Sequence, residues 1–211
     1  MPTVVFDFDS TLISCESLDE LIARALAGQP EQVEEVRAIT RAGMEGRIDF
    51  RESVERRLAL ARPTRSEAEA FGREALDYLT PGIDKLIAGL EAEVWIVSGG
   101  LCEVIMPVAE RLAVAPARVR ATRPDWSKDG ELRGLSRCGT KVEQMREPAA
   151  SWARPAVIVG DGMSDHAPLA AGLVDHFIVF TEHVRRAPVV ATGAPEARSV
   201  PELEYLLAQL L

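Results

Sequence analysis

The chain is predicted to fold as an α/β protein: a Rossmann-like parallel sheet core with a small helical domain inserted after its first strand. Three observations predict it. Short apolar runs at residues 3–8, 93–97 and 155–159 alternate with helical segments, the order that yields a parallel sheet with right-handed crossovers. Each run ends in a polar signature: Asp7-Phe8-Asp9, Ser98-Gly99-Gly100 and Gly160-Asp161-Gly162. Between the first two runs, helical periodicity persists without a strand signal. The expected division is a core of residues 1–13 and 80–211 and an insert of residues 14–79.

Along the chain, residues 3–8 read as a short buried strand. A Ser17/Glu20 capping box then starts a helix with Leu18, Leu21, Ile22 and Ala25 on one face. Pro30 opens a second helix bearing Val33, Val36 and Ile39. Phe50, Val54 and Leu58 mark a third, and residues 66–79 a fourth. After the strand at 93–97 come a helix (103–113), a possible strand (119–122) and a hairpin turn at Lys128-Asp129-Gly130-Glu131. A helix at 141–146, the strand at 155–159, a helix at 165–171, a strand at 177–180 and a helix at 201–211 close the reading.

The net charge of −9 and the lack of a basic stripe argue against a nucleic-acid partner, while leaving room for a positive pocket that takes a phosphorylated molecule. No apolar run approaches the roughly 18–20 residues of a membrane span, and the chain starts in strand-like sequence without a cleavable leader, so the expected location is cytoplasmic. Cys15, Cys102 and Cys138 are scattered, which fits neither a disulfide framework nor a zinc site. Cys15 reads as a pocket-lining or buried thiol.

Alternation along an extended strand points Asp7 and Asp9 the same way, beyond its carboxyl end, the edge where open α/β sheets bind ligands. The other two signatures join them there if the strands are parallel. Two carboxylates about 4 Å apart repel by about 4 kcal/mol at an effective dielectric near 20, so such a cluster calls for a cation, and its hard oxygen ligands suit Mg²⁺. Lys141 is a second candidate cation. Only three lysines occur beside 21 arginines, and this one follows a Gly139-Thr140 helix start.

Together, Asp7-Phe8-Asp9-Ser10-Thr11-Leu12, Ser98-Gly99-Gly100, Lys141 and Gly160-Asp161-Gly162-Met163-Ser164-Asp165 resemble the four motifs of the phosphatases of the haloacid dehalogenase superfamily. The resemblance implies Asp7 as nucleophile, forming an aspartyl-phosphate, and Asp9 as general acid and base. It implies Mg²⁺ held by the Asp7 carboxylate, the Asp9 backbone carbonyl and Asp161. Ser98, Gly99 and Lys141 would hold phosphoryl oxygens, Asp165 would orient Lys141 or a metal-bound water, and Thr11 would assist from the first turn. In the insert, Glu16 to Glu20 and Thr40 to Leu58 resemble the cap of phosphoserine phosphatases. That implies Glu16 for a substrate ammonium, Arg57 for its carboxylate, and Met44, Phe50 and Gly99 as further substrate contacts.

The implied reaction is hydrolysis of a small phosphate monoester, O-phosphoserine to serine and phosphate, as in serine biosynthesis. Asp at position 9 separates this reading from transport ATPases, which carry Thr there. Alternatives are another sugar or ketone phosphate, a phosphotransferase or phosphomutase, and a non-catalytic binding protein of the same fold. Arg57 could instead pair with Glu52 or Glu55, with Arg56 as the binding residue, and Met44 and Phe50 could be ordinary core. The chain departs from the phosphoserine phosphatase pattern at Cys15, at Leu101, around Cys138-Gly139-Thr140 and at Thr181-Glu182-His183; these differences bear on the substrate.

Overall fold

A computed structural model describes residues 1–137 and 139–211, so Cys138 lies outside the described residues. In chain order the elements are β1 (Thr3–Phe6), α1 (Ser17–Ala25), α2 (Pro30–Met44), α3 (Phe50–Leu60), α4 (Arg65–Glu74), α5 (Ile83–Gly89), β2 (Glu93–Leu101), α6 (Cys102–Arg111), β3 (Val119–Trp126), β4 (Leu132–Arg137), α7 (Lys141–Ala149), β5 (Ala156–Gly160), α8 (Met163–Ala170), β6 (His176–Phe180), α9 (Ala187–Val190), β7 (Glu196–Ala197) and α10 (Val200–Leu210).

The sheet runs β4-β3-β2-β1-β5-β6-β7, parallel except for the antiparallel β3–β4 hairpin at one edge. β1 is central: Val5 lies opposite Trp95 of β2 and Ile158 of β5. The three strands that carry polar signatures are therefore adjacent and point the same way.

Period-two alternation divides the core. Val4 and Phe6 pack with Ile96, Val159, Ile105 and Leu203 on the face covered by α5, α6 and α10. Val5 packs with Trp95, Ile158, Met145 and Phe177 on the face covered by α7 and α8. Phe6 is fully buried, and a Phe-to-Ala truncation at such a position costs about 3–5 kcal/mol.

The insert leaves and rejoins the core through paired chain segments. Ile13 bridges Leu79 in antiparallel fashion, the Ser14 amide donates to the Tyr78 carbonyl (2.8 Å) and the Thr80 amide to the Leu12 carbonyl (2.9 Å). α1, α2 and α3 pack on one another, whereas α4 lies on core helix α6. A Cβ added at Gly72 would come within 2.4 Å of the Glu103 carbonyl oxygen, so glycine permits that approach.

Several sequence expectations need correction. β1 ends at Phe6: the Asp7 amide still bonds the Val159 carbonyl, and the chain bends from Phe8. The fourth insert helix stops at Glu74 and continues as a 3-10 turn over Ala75–Tyr78. Ser98-Gly99-Gly100 lies within β2, whose pairing with β3 resumes at Leu101. β3 extends to Trp126 because it pairs with β4 through the Gly130 turn, where φ is +80°. The Ser17/Glu20 capping box does not form. The N-cap of α1 is Glu16, with no side-chain cap bond, and the Ser17 amide serves a different carboxylate.

Candidate functional site

The sheet edge gathers the polar signatures into a cleft of about 440 Å³, lined among others by Asp7, Asp9, Ser98, Gly99 and Lys141 from the core. Glu16, Met44, Phe50 and Arg57 line it from the insert. Asp161 and Asp165 lie buried beneath Asp7. Thr11 stands apart. Its carbonyl accepts from the Thr80 hydroxyl (2.7 Å), and its own hydroxyl is buried without a partner among the described residues.

Lys141 sits at the centre of the carboxylates. Its Nζ lies 2.6 Å from Asp7 Oδ1 and also pairs with Asp165 Oδ1. Burial pulls this ammonium down, but Asp165 and Asp7 outweigh it and hold the lysine protonated, above its ordinary value. Asp7 Oδ1 also accepts from the Phe8 amide at 2.7 Å. Asp165 Oδ2 accepts from the Gly162 amide at 3.0 Å, which braces the third signature. Gly160 is required here: a Cβ on it would lie 2.2 Å from the Asp165 carboxyl carbon.

Asp7, Asp161 and Asp165 bring carboxylate oxygens within 4.8 Å of one another. Asp161 Oδ2 takes the Arg186 Nε (2.9 Å), whereas the buried Asp161 Oδ1 has no partner among the described residues. Burial, then the charge of Glu16, raise Asp161 well above the ordinary carboxylate range despite Arg186. Asp165 is raised to about 7 by burial, then by Asp7, with Lys141 opposing. An orphaned buried oxygen among hard donors that resist ionisation suits a divalent cation.

Asp9 stands at the wall of the cleft. Its Oδ1 accepts from the Ser17 amide at 2.8 Å. Burial, then the charge of Glu16, lift its pKa to about 8, so it carries a proton near neutrality. On the same wall, Ser98 Oγ accepts from the Gly100 amide (2.9 Å), and the Thr122 hydroxyl fixes the Gly99 carbonyl (2.8 Å). The Phe50 ring lies over Gly99, where an added Cβ would come within 2.4 Å of it. Met44 covers Gly162 in the same manner, at 2.9 Å.

On the insert side, Arg57 is buried and Arg56 is exposed, paired with Glu52 at 3.4 Å. Arg57 donates Nη1 to Asp19 Oδ1 (3.0 Å) and Nε to the Ser53 carbonyl (3.2 Å), and the Thr40 hydroxyl also binds Asp19 (2.7 Å). Glu16 Oε1 accepts from Ser10 Oγ (2.9 Å) and Arg186 (3.0 Å). Cys15 is half-buried and does not line the cleft. Burial, then the charge of Asp9, push its thiol up to about 12, which leaves it unreactive.

Three residues of this network escape sequence reasoning. Arg186 is one of 21 arginines and sits on an irregular segment; nothing local marks it. Asp19 reads as a first-turn helix acid. Ser17 reads as a cap, and only the fold shows its amide turned to Asp9. The Asp19 and Ser17 signals existed in the sequence but pointed to helix termini.

A strand-end aspartate, a buried lysine among carboxylates and a helical insert lining the cleft define a class. The chain belongs to the haloacid dehalogenase-like hydrolases, a family that matches residues 4–170. Within that family it is a phosphatase. It is 31% identical over 198 residues to phosphoserine phosphatase of Bos taurus, covering 88% of this chain and 84% of the relative. A phosphoserine phosphohydrolase-like protein from Francisella tularensis superposes with a TM-score of 0.94 at 34% identity, covering 98% and 99% of the two chains. A phosphoserine phosphatase solved as a phospho-aspartyl intermediate analogue gives 0.75 at 28% identity, covering 97% and 98%.

Proposed function

We propose that this phosphatase hydrolyses O-phosphoserine to serine and phosphate through an aspartyl-phosphate on Asp7. The observation that carries the reading is the cleft itself, which Asp7 and Lys141 from the core and Glu16 and Arg57 from the insert line together. A phosphate ester bearing an ammonium and a carboxylate matches that set of charges. Residues 14–79 act as the cap, of which α1–α3 cover the cleft and α4 rides on the core.

An Asp7 carboxylate oxygen attacks phosphorus in line, and the bond to the seryl oxygen breaks. Asp9, protonated near neutrality, gives its proton to that leaving oxygen. In the second half, Asp9 takes a proton from water as the water oxygen attacks phosphorus and the Asp7–phosphorus bond breaks. Ser98, the Gly99 amide and Lys141 hold the phosphoryl oxygens, and Asp165 keeps Lys141 in place. Mg²⁺, held by Asp7, Asp161 and the Asp9 carbonyl, supplies neutralisation of phosphate charge when bound. Glu16 keeps Oε2 for the substrate ammonium, since Ser10 and Arg186 both bind Oε1. Arg57 keeps its Nη edge for the carboxylate, with Asp19 fixing the guanidinium. Met44 and Phe50 exclude water.

A panel of phosphate monoesters assayed with Mg²⁺ tests the reading. Phosphoserine should give the highest kcat/KM; turnover of other esters with phosphoserine inert would end the substrate assignment.

A further inference from the structure

A second and larger cleft, about 900 Å³, lies between α3 on one side and the β3–β4 hairpin with α7 on the other. Among the described residues, Gly139 alone lines both this cleft and the one that holds Asp7. Five arginines line it: Arg51 and Arg62 from the insert, and Arg120, Arg123 and Arg133 from the hairpin. Glu55, Glu143 and Glu147 share the lining, yet among the described residues only Arg51–Glu143 pairs across it and Arg120–Glu147 pairs along the core side, both loose at 3.6 Å. Arg62 donates to the Leu132 carbonyl at 3.4 Å. Arg123 and Arg133 have no carboxylate within 4.0 Å among the described residues.

Exposed arginines alone would mean little in a chain that has so many. Here they converge from two separately anchored pieces onto a concave apolar floor of Val54, Leu58, Leu132 and Leu135. The protein as a whole carries −9, so this cleft reverses the local charge. Guanidinium forks match phosphate oxygens in pairs and stack on planar rings, and the floor offers apolar area for such a ring.

We propose that this cleft binds a nucleotide-like anion, a diphosphate attached to a planar, largely apolar body. The phosphates sit on Arg123 and Arg133, and the body lies on the apolar floor. Because α3 forms one wall and the core forms the others, an occupied cleft holds α3 against the hairpin. The site is independent of the chemistry at Asp7 and stands whatever ester is hydrolysed there.

Titration calorimetry of the whole chain with ADP, at low ionic strength and with EDTA present, tests it. Wild type and Asp7→Asn should bind one equivalent. The Arg123→Ser/Arg133→Ser double variant should bind at least ten-fold more weakly while keeping the wild-type melting temperature and phosphatase activity. Pyrophosphate as a second titrant should bind more weakly than ADP. Absence of ADP binding, equal binding by the double variant, or displacement of ADP by phosphoserine would each overturn the site. Equal affinity for pyrophosphate and ADP would overturn the planar body, and preference for a poly-glutamate peptide over ADP would reassign the cleft to an acidic protein segment.

Discussion

Asp9 and Ser17 are joined across the junction between core and insert: the carboxylate on the core accepts from the backbone amide that begins the first insert helix, at 2.8 Å. Asp9 is thus oriented by the insert, and if it is the proton donor proposed above, proton transfer depends on this junction. Ser17→Pro removes that amide hydrogen and places the ring carbon where Asp9 sits. Proline is well tolerated at a first helical position and Glu16 before it is already extended, so the helix should still form, while the loss of Asp9's donor at this buried junction should cost about 1–3 kcal/mol. Turnover of an alkyl phosphate should fall about 10–100-fold. An aryl phosphate, whose leaving group needs no proton, should lose much less. Equal losses for both esters would remove Asp9 as the acid.

The Asp19–Arg57 pair gives a contrast between neighbours. Arg57→Ala should raise KM for phosphoserine at least ten-fold and cost about 3–5 kcal/mol, since it strands a buried Asp19 carboxylate. Adding Asp19→Ala should recover part of the stability and none of the KM. Arg56→Ala, on the exposed side, should stay within about 0.5 kcal/mol and leave KM alone. Unchanged steady-state constants in Arg57→Ala would refute the cap assignment.

Acid groups that hold their protons set the pH response of the cation-free protein. Asp9 is raised to about 8 and Asp165 to about 7, in both cases chiefly by burial, so between about pH 4 and 8 the folded state binds more protons than the unfolded state. Stability then falls as pH rises through that interval. In EDTA the melting temperature should drop from pH 5 to pH 8.5. Mg²⁺ should stabilise most at the alkaline end, where the carboxylates bind it without first losing protons. A melting temperature that climbs with pH in EDTA would contradict the clustered-carboxylate account.

Glycine substitutions separate contact from conformation. Gly99→Ala drives a methyl group into the Phe50 ring and should hold the insert off the core, lowering kcat/KM at least ten-fold. Gly160→Ala displaces Asp165 and with it Lys141, and should abolish turnover. Gly89→Ala meets nothing within 4 Å and should stabilise by about 0.4–1 kcal/mol. Phosphate release and thermal melts on the three variants would read these effects.

Most of the sheet was legible because its strands are short apolar runs flanked by polar turns, with Asp7 and Asp161 directly after β1 and β5 and Ser98 inside β2. Lys141 stood out by scarcity only weakly, and its place in order among the other motifs marked it. What escaped was pairing over distance. Nothing near Arg186 announces that its guanidinium bridges Asp161 and Glu16, which are 145 residues apart in the chain. Ser17 carried a helix-start signal that the fold uses for Asp9. The full extent of β3 depends on its hairpin partner, which supplies hydrogen bonds that propensity alone does not encode.

The clasp at Ile13 and Leu79 has a consequence for how the molecule assembles. With the ends of the insert fastened to each other, the core sees the intervening chain as little more than a tight hairpin. Loop-closure entropy grows only as the logarithm of length, and the clasp caps even that. The neighbouring strands β1 and β2 can then find each other at nearly the same entropic cost whatever is threaded between them. A longer, shorter or wholly different module could be grafted at this point, and the carboxylate-bearing edge of the sheet would still form.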